Sequence, residues 1–427
     1  MISIYSSSIS KRLIYVLDFI FDDLLNIDYF LTDKVSELKD VVINYSEDNL
    51  NVKNYTIRPS KILNSGYFKF PINIRNDNYF QIFSNLENSC DHGFDIFSAV
   101  FYLISRMEEY NCDELDKHGR YISANSILVK NKISDKPIID LWCFDLLKII
   151  NEKFNVNFSV GREFQQYCTF DIDNAYAFKH KGTVRTLASF ARDIVMLNKN
   201  KILQRIRFLI AQHSDPYDNY EYIFKFCSSN KLNQIYFFLL GDYGKNDKNI
   251  SYSNQSYKRL INHISNYARI GIHPSYNSYL NEKKLEKETN RLEKILNKKV
   301  LISRFHYLRF NFPTSFQNLF SLGIEEDYSM GYYDRIGFRA GTCTPFYFYD
   351  LENELATNLK IVPFVYMDGV LKDRINYSHE KAIDKISEIK DEVKKVKGQF
   401  TSIWHNESLS DKDIWKGWRR VFESTWI

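Results

Sequence analysis

The sequence predicts an α/β protein in two parts: a smaller α+β unit over residues 1–160, and a strand–helix alternation over residues 161–427 that builds a barrel or sheet. Three observations predict it. From residue 161 onward, short apolar runs alternate with amphipathic helical stretches. Several of those runs finish on a charged or imidazole side chain. Before residue 160 the elements are less regular, and Asn- and Asp-rich loops separate them.

In the first unit, Leu13, Val16, Ile20 and Leu24 recur at helical spacing and predict an amphipathic helix. Val41 to Tyr45 reads as a strand, and strand-like pieces follow around Tyr67 to Phe70. Asp95 is placed to cap a second helix, with Phe97, Val100, Phe101, Ile104 and Met107 on its buried face. Pro137 and Asp140 open a third, with Leu141, Phe144, Leu147 and Ile150 inward. Between them, His118-Gly119-Arg120 reads as a polar turn or as a ligand contact.

In the second unit, Cys168 to Asp173 is a strand ending in two carboxylates. Helical periodicity with basic residues runs from Val184 to Ala211. Gln234 to Gly241 is a buried strand, Tyr257 to Tyr267 a helix, and Ala268 to His273 a strand ending on imidazole. The helix Leu285 to Leu296 leads to the strand Val300 to Ser303, which runs into Arg304-Phe305-His306. Gly337 to Thr342 carries Arg339, and Thr401 to Asn406 carries His405.

Composition narrows the function classes. A length of 427 residues suggests two or three domains, and 44% hydrophobic with 26% charged residues supports a sizeable core. The net charge of +4 is nearly balanced and no basic block marks a nucleic-acid footprint, so nucleic acid is not expected as a partner. Lys283 to Lys299 and Lys390 to Lys397 mix cations with carboxylates and read as solvated helix faces. The six cysteines are scattered without Cys-x-x-Cys spacing, which predicts reduced thiols. Lys11 and Arg12 precede an apolar stretch that is short and broken by Asp18, unlike a secretory signal. No apolar run reaches the length of a membrane span, so a cytoplasmic protein is expected.

Side chains alternate along a strand, so Asp171 and Asp173 point to one side, roughly 6.6–6.8 Å apart along the chain. Two like charges this close need a cation, a shared proton or donors to relieve them. The plain alternative is a strand end whose Asp residues cap the next turn. What favours chemistry is the recurrence of Asp171, Asp173, His273, Arg304, His306, Arg339 and His405 where successive strands should end, because parallel strands bring such ends to one face.

This order resembles the polysaccharide deacetylase superfamily (NodB-homology, carbohydrate esterase 4-like), and within it a divergent bacterial branch with an extra N-terminal domain. The resemblance covers roughly residues 161–427 and implies a distorted (β/α) barrel of the NodB-homology type. Thr169-Phe170-Asp171 resembles the opening Thr-Phe-Asp-Asp motif, with the second carboxylate one place later at Asp173. It implies Asp171 as catalytic base and Asp173 as metal ligand. Ile270-Gly271-Ile272-His273 resembles the second motif and implies His273 as a ligand, with Asn277 where a second His should stand. Arg304-Phe305-His306-Tyr307-Leu308 resembles Arg-x-Pro-Tyr-Gly, with His in the Pro position. One His is lost and one gained, which suggests that His306 rather than Asn277 completes the set. Imidazole nitrogen and carboxylate oxygen suit a divalent metal, zinc above others, with one open position. Ile403-Trp404-His405 resembles the last motif, whose His protonates the leaving amine. Arg304 and Arg339 are candidates to orient a catalytic carboxylate, Arg339 alternatively to bind substrate or to form a structural ion pair, and Asp327 and Tyr328 are candidates to shape the site. The implied reaction is removal of an N-acetyl group from an amino sugar of a polysaccharide or its precursor. An O-deacetylase, a non-sugar amidohydrolase and an inactive glycan-binding member are the alternatives. His92, His180, His213, His263 and His379 read as surface or loop residues.

Overall fold

The computed structural model describes residues 1–64, 72–76, 80–84, 90–110, 112, 114–182, 186–187, 190–191, 194–197, 202 and 215–426. The strand-like pieces at Tyr67 to Phe70, most of the basic stretch from Val184 to Ala211, and His213 lie outside these residues.

The chain begins with a parallel sheet of order β2-β1-β3-β4, built from β1 (Ile2–Tyr5), β2 (Tyr29–Thr32), β3 (Val42–Asn44) and β4 (Tyr55–Thr56). Ser10 opens the first helix, Lys11–Leu17, by accepting the Leu13 amide at 3.0 Å. Leu13, Val16, Ile20 and Leu24 are all buried, as their spacing predicts. Asp95 caps Ile96–Ile104 through the Ser98 amide. That helix is buried on every side. Met107 belongs to a new turn, Met107–Tyr110, because the chain breaks at Arg106 with φ 55. A small antiparallel pair follows the first sheet, β5 (Ile74–Arg75) with β6 (Gln81–Ile82).

The helix Ile138–Phe154 forms where expected, but its buried face is rotated toward Trp142, Cys143, Leu146 and Ile150, and Leu141 and Phe144 are only partly covered. Asp140 sets the rotation. It is fully buried and joins three chain segments: it takes Nη2 of Arg162 at 2.9 Å and the hydroxyls of Thr342 and Thr344. Removing one partner of a buried ion pair leaves the other charge unpaired, at about 3–5 kcal/mol. Asp140→Ala should therefore lower the thermal unfolding midpoint by several degrees. An unchanged midpoint would show that this junction contributes nothing.

The second sheet has nine strands in the order β12-β13-β11-β10-β9-β8-β7-β15-β14. They are β7 (Gln165–Ile172), β8 (Asn233–Phe238), β9 (Arg269–Ile272), β10 (Ile302–Ser303), β11 (Glu326–Met330), β12 (Phe346–Asp350), β13 (Leu355–Pro363), β14 (Tyr366–Met367) and β15 (Gln399–His405). Every neighbouring pair is parallel except β12 with β13. The sheet curls into a half-barrel whose edges β12 and β14 do not meet, so the expected barrel is open. The long central strands are buried on both faces, as parallel strands under crossover helices should be. Ile235, Phe237, Ile302, Tyr328 and Val362 form a compact cluster of their own within this sheet. Gly271 makes that packing possible: a Cβ there would come within 2.7 Å of the Phe237 ring and 2.8 Å of the Ile302 carbonyl oxygen.

Residues of the first sheet's helices reach the second sheet directly. Tyr15 and Phe101 pack against Tyr349 of β12, and Arg12 forms a buried ion pair with Glu354 in the turn before β13. No described helix is long and apolar enough to cross a membrane. Because the strands run parallel, the C-terminal ends of β7, β9, β10, β14 and β15 come to one edge of the sheet, with His405 in register with Asp171.

Candidate active site

That edge holds a cleft of about 330 Å³ lined by Asp171, Asp173, His273, His306 and His405 among others. Asp171 is the second-last residue of β7 and Asp173 follows the strand, so alternation brings both carboxylates to the same cleft. Asp171 is buried, whereas Asp173 is partly exposed.

One carboxylate oxygen or ring nitrogen from each of Asp173, His273 and His306 lies within 4.8 Å of the others. His273 Nε2 is 3.2 Å from Asp173 Oδ1, and His306 Nε2 is 3.1 Å from Asp173 Oδ2. Hydrogen bonds on the far side of each ring fix which nitrogen faces inward. His273 Nδ1 is 2.5 Å from the Arg304 carbonyl oxygen. A carbonyl can only accept, so Nδ1 carries a proton, and in the neutral ring Nε2 turns its lone pair to Asp173. His306 Nδ1 likewise meets Asp247 Oδ1 at 2.9 Å, and Asp247 is held by the Tyr276 amide.

Two acceptors thus face each other at 3.2 Å, and Asp173 Oδ1, though buried, has no hydrogen-bond partner among the described residues. A cation between them relieves that repulsion, and the donor set of two imidazoles and one carboxylate is one that zinc takes. The group therefore fits a divalent ion. Burial works to raise the Asp173 carboxyl, but His306, with help from His273 and His405, holds it well below the usual carboxylate range. Burial opposes charge on His306, yet Asp173 and then Asp247 push it up to about 9. Asn277 is exposed and does not line the cleft.

Asp171 is oriented from beneath. Arg304 Nη1 donates to Asp171 Oδ1 at 2.8 Å and to Thr169 Oγ1, its Nε donates to the Tyr328 carbonyl, and its guanidinium lies 4.4 Å from the Phe237 ring centre. This leaves Asp171 Oδ2 toward His273 Nε2, at 3.8 Å. Asp327, on β11, braces the floor through Ser303 and Ser329, and burial pushes it up to about 6. His405 presents Nε2 to the cleft, 3.9 Å from Asp173 Oδ2, because Asp368 accepts from both its Nδ1 and its backbone amide at 2.8 Å. Burial opposes charge on this ring too, but Asp368, followed by Asp173 and Asp171, holds it well above the usual imidazole range.

One expectation needs correction. Arg339 does not reach the site: its Nε and Nη2 both sit on Glu109, and it lies beside the Phe310 and Tyr121 rings. It belongs to a loop after β11, not to a strand end, so it never arrives at the shared edge. His92 lies in a loop, as the sequence allows, but is buried against Tyr55, and desolvation drives it down to about 4. Sequence reasoning also missed Asp247 and Asp368, the carboxylates that orient the two imidazoles. Asp368 had a signal, since Val362 to Asp368 repeats the pattern of an apolar run ending on Asp.

Residues 2–155 match a family of unknown function, DUF7033. No curated protein matches the chain. Among solved structures, it is similar to one described as a polysaccharide deacetylase from Mycobacterium smegmatis, at 13% identity over 64% of this chain and 86% of that one, with a TM-score of 0.39. It is also similar to IcaB from Ammonifex degensii, at 14% identity over 39% of this chain and 84% of the other, with a TM-score of 0.22. A third is a mutant of a CE4 family pseudoenzyme with restored enzymatic activity, at 10% identity over 58% of this chain and 68% of the other, with a TM-score of 0.24.

Proposed function

We propose that this chain is a metal-dependent hydrolase that removes N-acetyl groups from an amino sugar of a polysaccharide or its precursor. In this reading residues 161–427 carry the chemistry and residues 1–160 form an accessory unit. The observation that carries it is the facing pair of acceptors, His273 Nε2 and Asp173 Oδ1, inside a three-residue group that shares its cleft with a second carboxylate and a third imidazole.

Asp173, His273 and His306 would hold the ion. A divalent ion such as zinc supplies Lewis-acid polarisation of an amide carbonyl and acidification of water. The remaining work falls to this chain's own groups. Asp171 Oδ1 is neutralised by Arg304, so Oδ2 is the atom that takes a proton as general base. His405, kept protonated by Asp368, donates from Nε2 to the departing amine, which is otherwise a very poor leaving group. Asp247 and Asp368 fix ring orientation, as carboxylates behind metal-site and catalytic histidines do.

The test is acetate release by zinc-loaded protein from a panel of N-acetylated and O-acetylated sugars. Release from the N-acetylated members, abolished by chelation and restored by zinc, is the expected result. Release from O-acetyl sugars alone would replace this reading with an esterase. No release from any member would leave a glycan-binding role instead.

A further inference from the structure

The wall of the cleft includes a side chain from the first unit. Arg120 is buried with its guanidinium 3.6 Å over the Tyr333 ring, its Nε and Nη2 on Asp116 Oδ2 at 2.9 and 2.7 Å, and its Nη1 on the Tyr307 carbonyl at 2.9 Å. Tyr307 follows the ligand residue His306 directly, so the guanidinium is anchored one residue from the centre. Those bonds use three of the five N–H groups an arginine carries, and among the described residues two are left. Arg374 lines the same cleft, is exposed, and forms no ion pair among the described residues. Asp116 balances Arg120 itself, while Asp373 pairs with Lys372 and Asp171 with Arg304. His118, beside this wall, is pushed below the usual imidazole range by burial and then by Arg120, with Lys117 and Arg374 adding to it. The wall therefore carries one cation without an ion-pair partner among the described residues, Arg374, beside the two spare donors of Arg120.

We propose that the sugar taken into this cleft carries an anionic group, phosphate or carboxylate, which Arg120 and Arg374 bind in the same cleft as Asp173, His273 and His306. The planar guanidinium fork matches either anion. The ring of Tyr307, 39% exposed in the cleft, offers an apolar face to the sugar between the anion and the centre. This substrate class rests on the deacetylase reading. It also gives the first unit a part in recognition, through Arg120.

Calorimetric titration of the zinc-loaded full chain tests it without requiring turnover. The probes are N-acetylglucosamine, its glycosyl phosphate and N-acetylmuramic acid, so the phosphate and carboxylate sources are separate arms. At least one anionic probe should bind about tenfold tighter than the neutral sugar, and less so at high salt. Arg374→Glu, at an exposed position, should erase that preference and leave the neutral sugar within about twofold. Arg120→Lys should weaken it as well, by replacing the fork with a point charge. Equal affinities, no measurable binding of either anionic probe, or a preference that survives Arg374→Glu overturns the inference. Acetate release scored in parallel separates the two ideas: release without anion preference sinks only this inference, and anion preference without release sinks only the hydrolase reading.

Discussion

Asp173→Asn is expected to lower zinc affinity by more than about a hundredfold, and acetate release with it. Losing a residue that merely orients a ligand already costs on the order of ten- to a hundredfold. Asp173 is more than that, because both of its oxygens face ring nitrogens, at 3.2 and 3.1 Å. The neutral amide keeps the shape but removes the charge that the two imidazoles are arranged around. His306→Ala should follow it closely, since Asp247 behind the ring cannot reach forward to substitute. Asn277→Ala should bind zinc as the parent does. Equilibrium titration against a competing chelator reads all three, and tight binding by His306→Ala would remove that residue from the ligand set.

His405→Ala should lower kcat by between about a hundredfold and ten-thousandfold with little change in KM, the range for losing a positioned acid. The ring meets the reacting group only as the amine departs, so ground-state binding does not depend on it. The sign of the pH effect follows from its raised pKa. With protonated His405 as the proposed acid, the rate should fall as pH rises through that raised value. Asp368→Asn removes the chief group that raises it. The falling limb of the pH–rate profile should then move to lower pH, with kcat at neutral pH reduced less than in His405→Ala. An unchanged turnover number in His405→Ala would refute the acid role, and an unmoved limb in Asp368→Asn would detach that carboxylate from it.

The parts of the site legible in the sequence are those where a strand period ends on a polar residue. Asp171 and Asp173 after Cys168-Thr169-Phe170, His273 after Ile270-Gly271-Ile272, and His405 after Ile403-Trp404 all follow that rule and all line one cleft. It works because β7, β9 and β15 lie parallel in one sheet, so their ends coincide. The same rule misled at Arg339, where Gly337 and Gly341, with φ 131 and 72, mark a loop and not a strand end. Asp247 gave no signal, since it sits in the polar loop after β8 and earns its place only through His306 of a later strand end. Asp140 reads as an ordinary first-turn acid, because nothing near it in sequence reveals that Arg162 and Thr342 will close over it. Arg120 is visible in the sequence only as one residue of a segment that reads as a polar turn or a ligand contact. Its position at the cleft depends on how the first sheet meets the second.

The most direct test is to locate the metal. Crystals soaked in zinc and measured at the zinc absorption edge should show an anomalous peak bounded by Asp173, His273 and His306, with His405 beyond bonding reach of it. A peak held by other residues, or none at this cleft, would contradict the account.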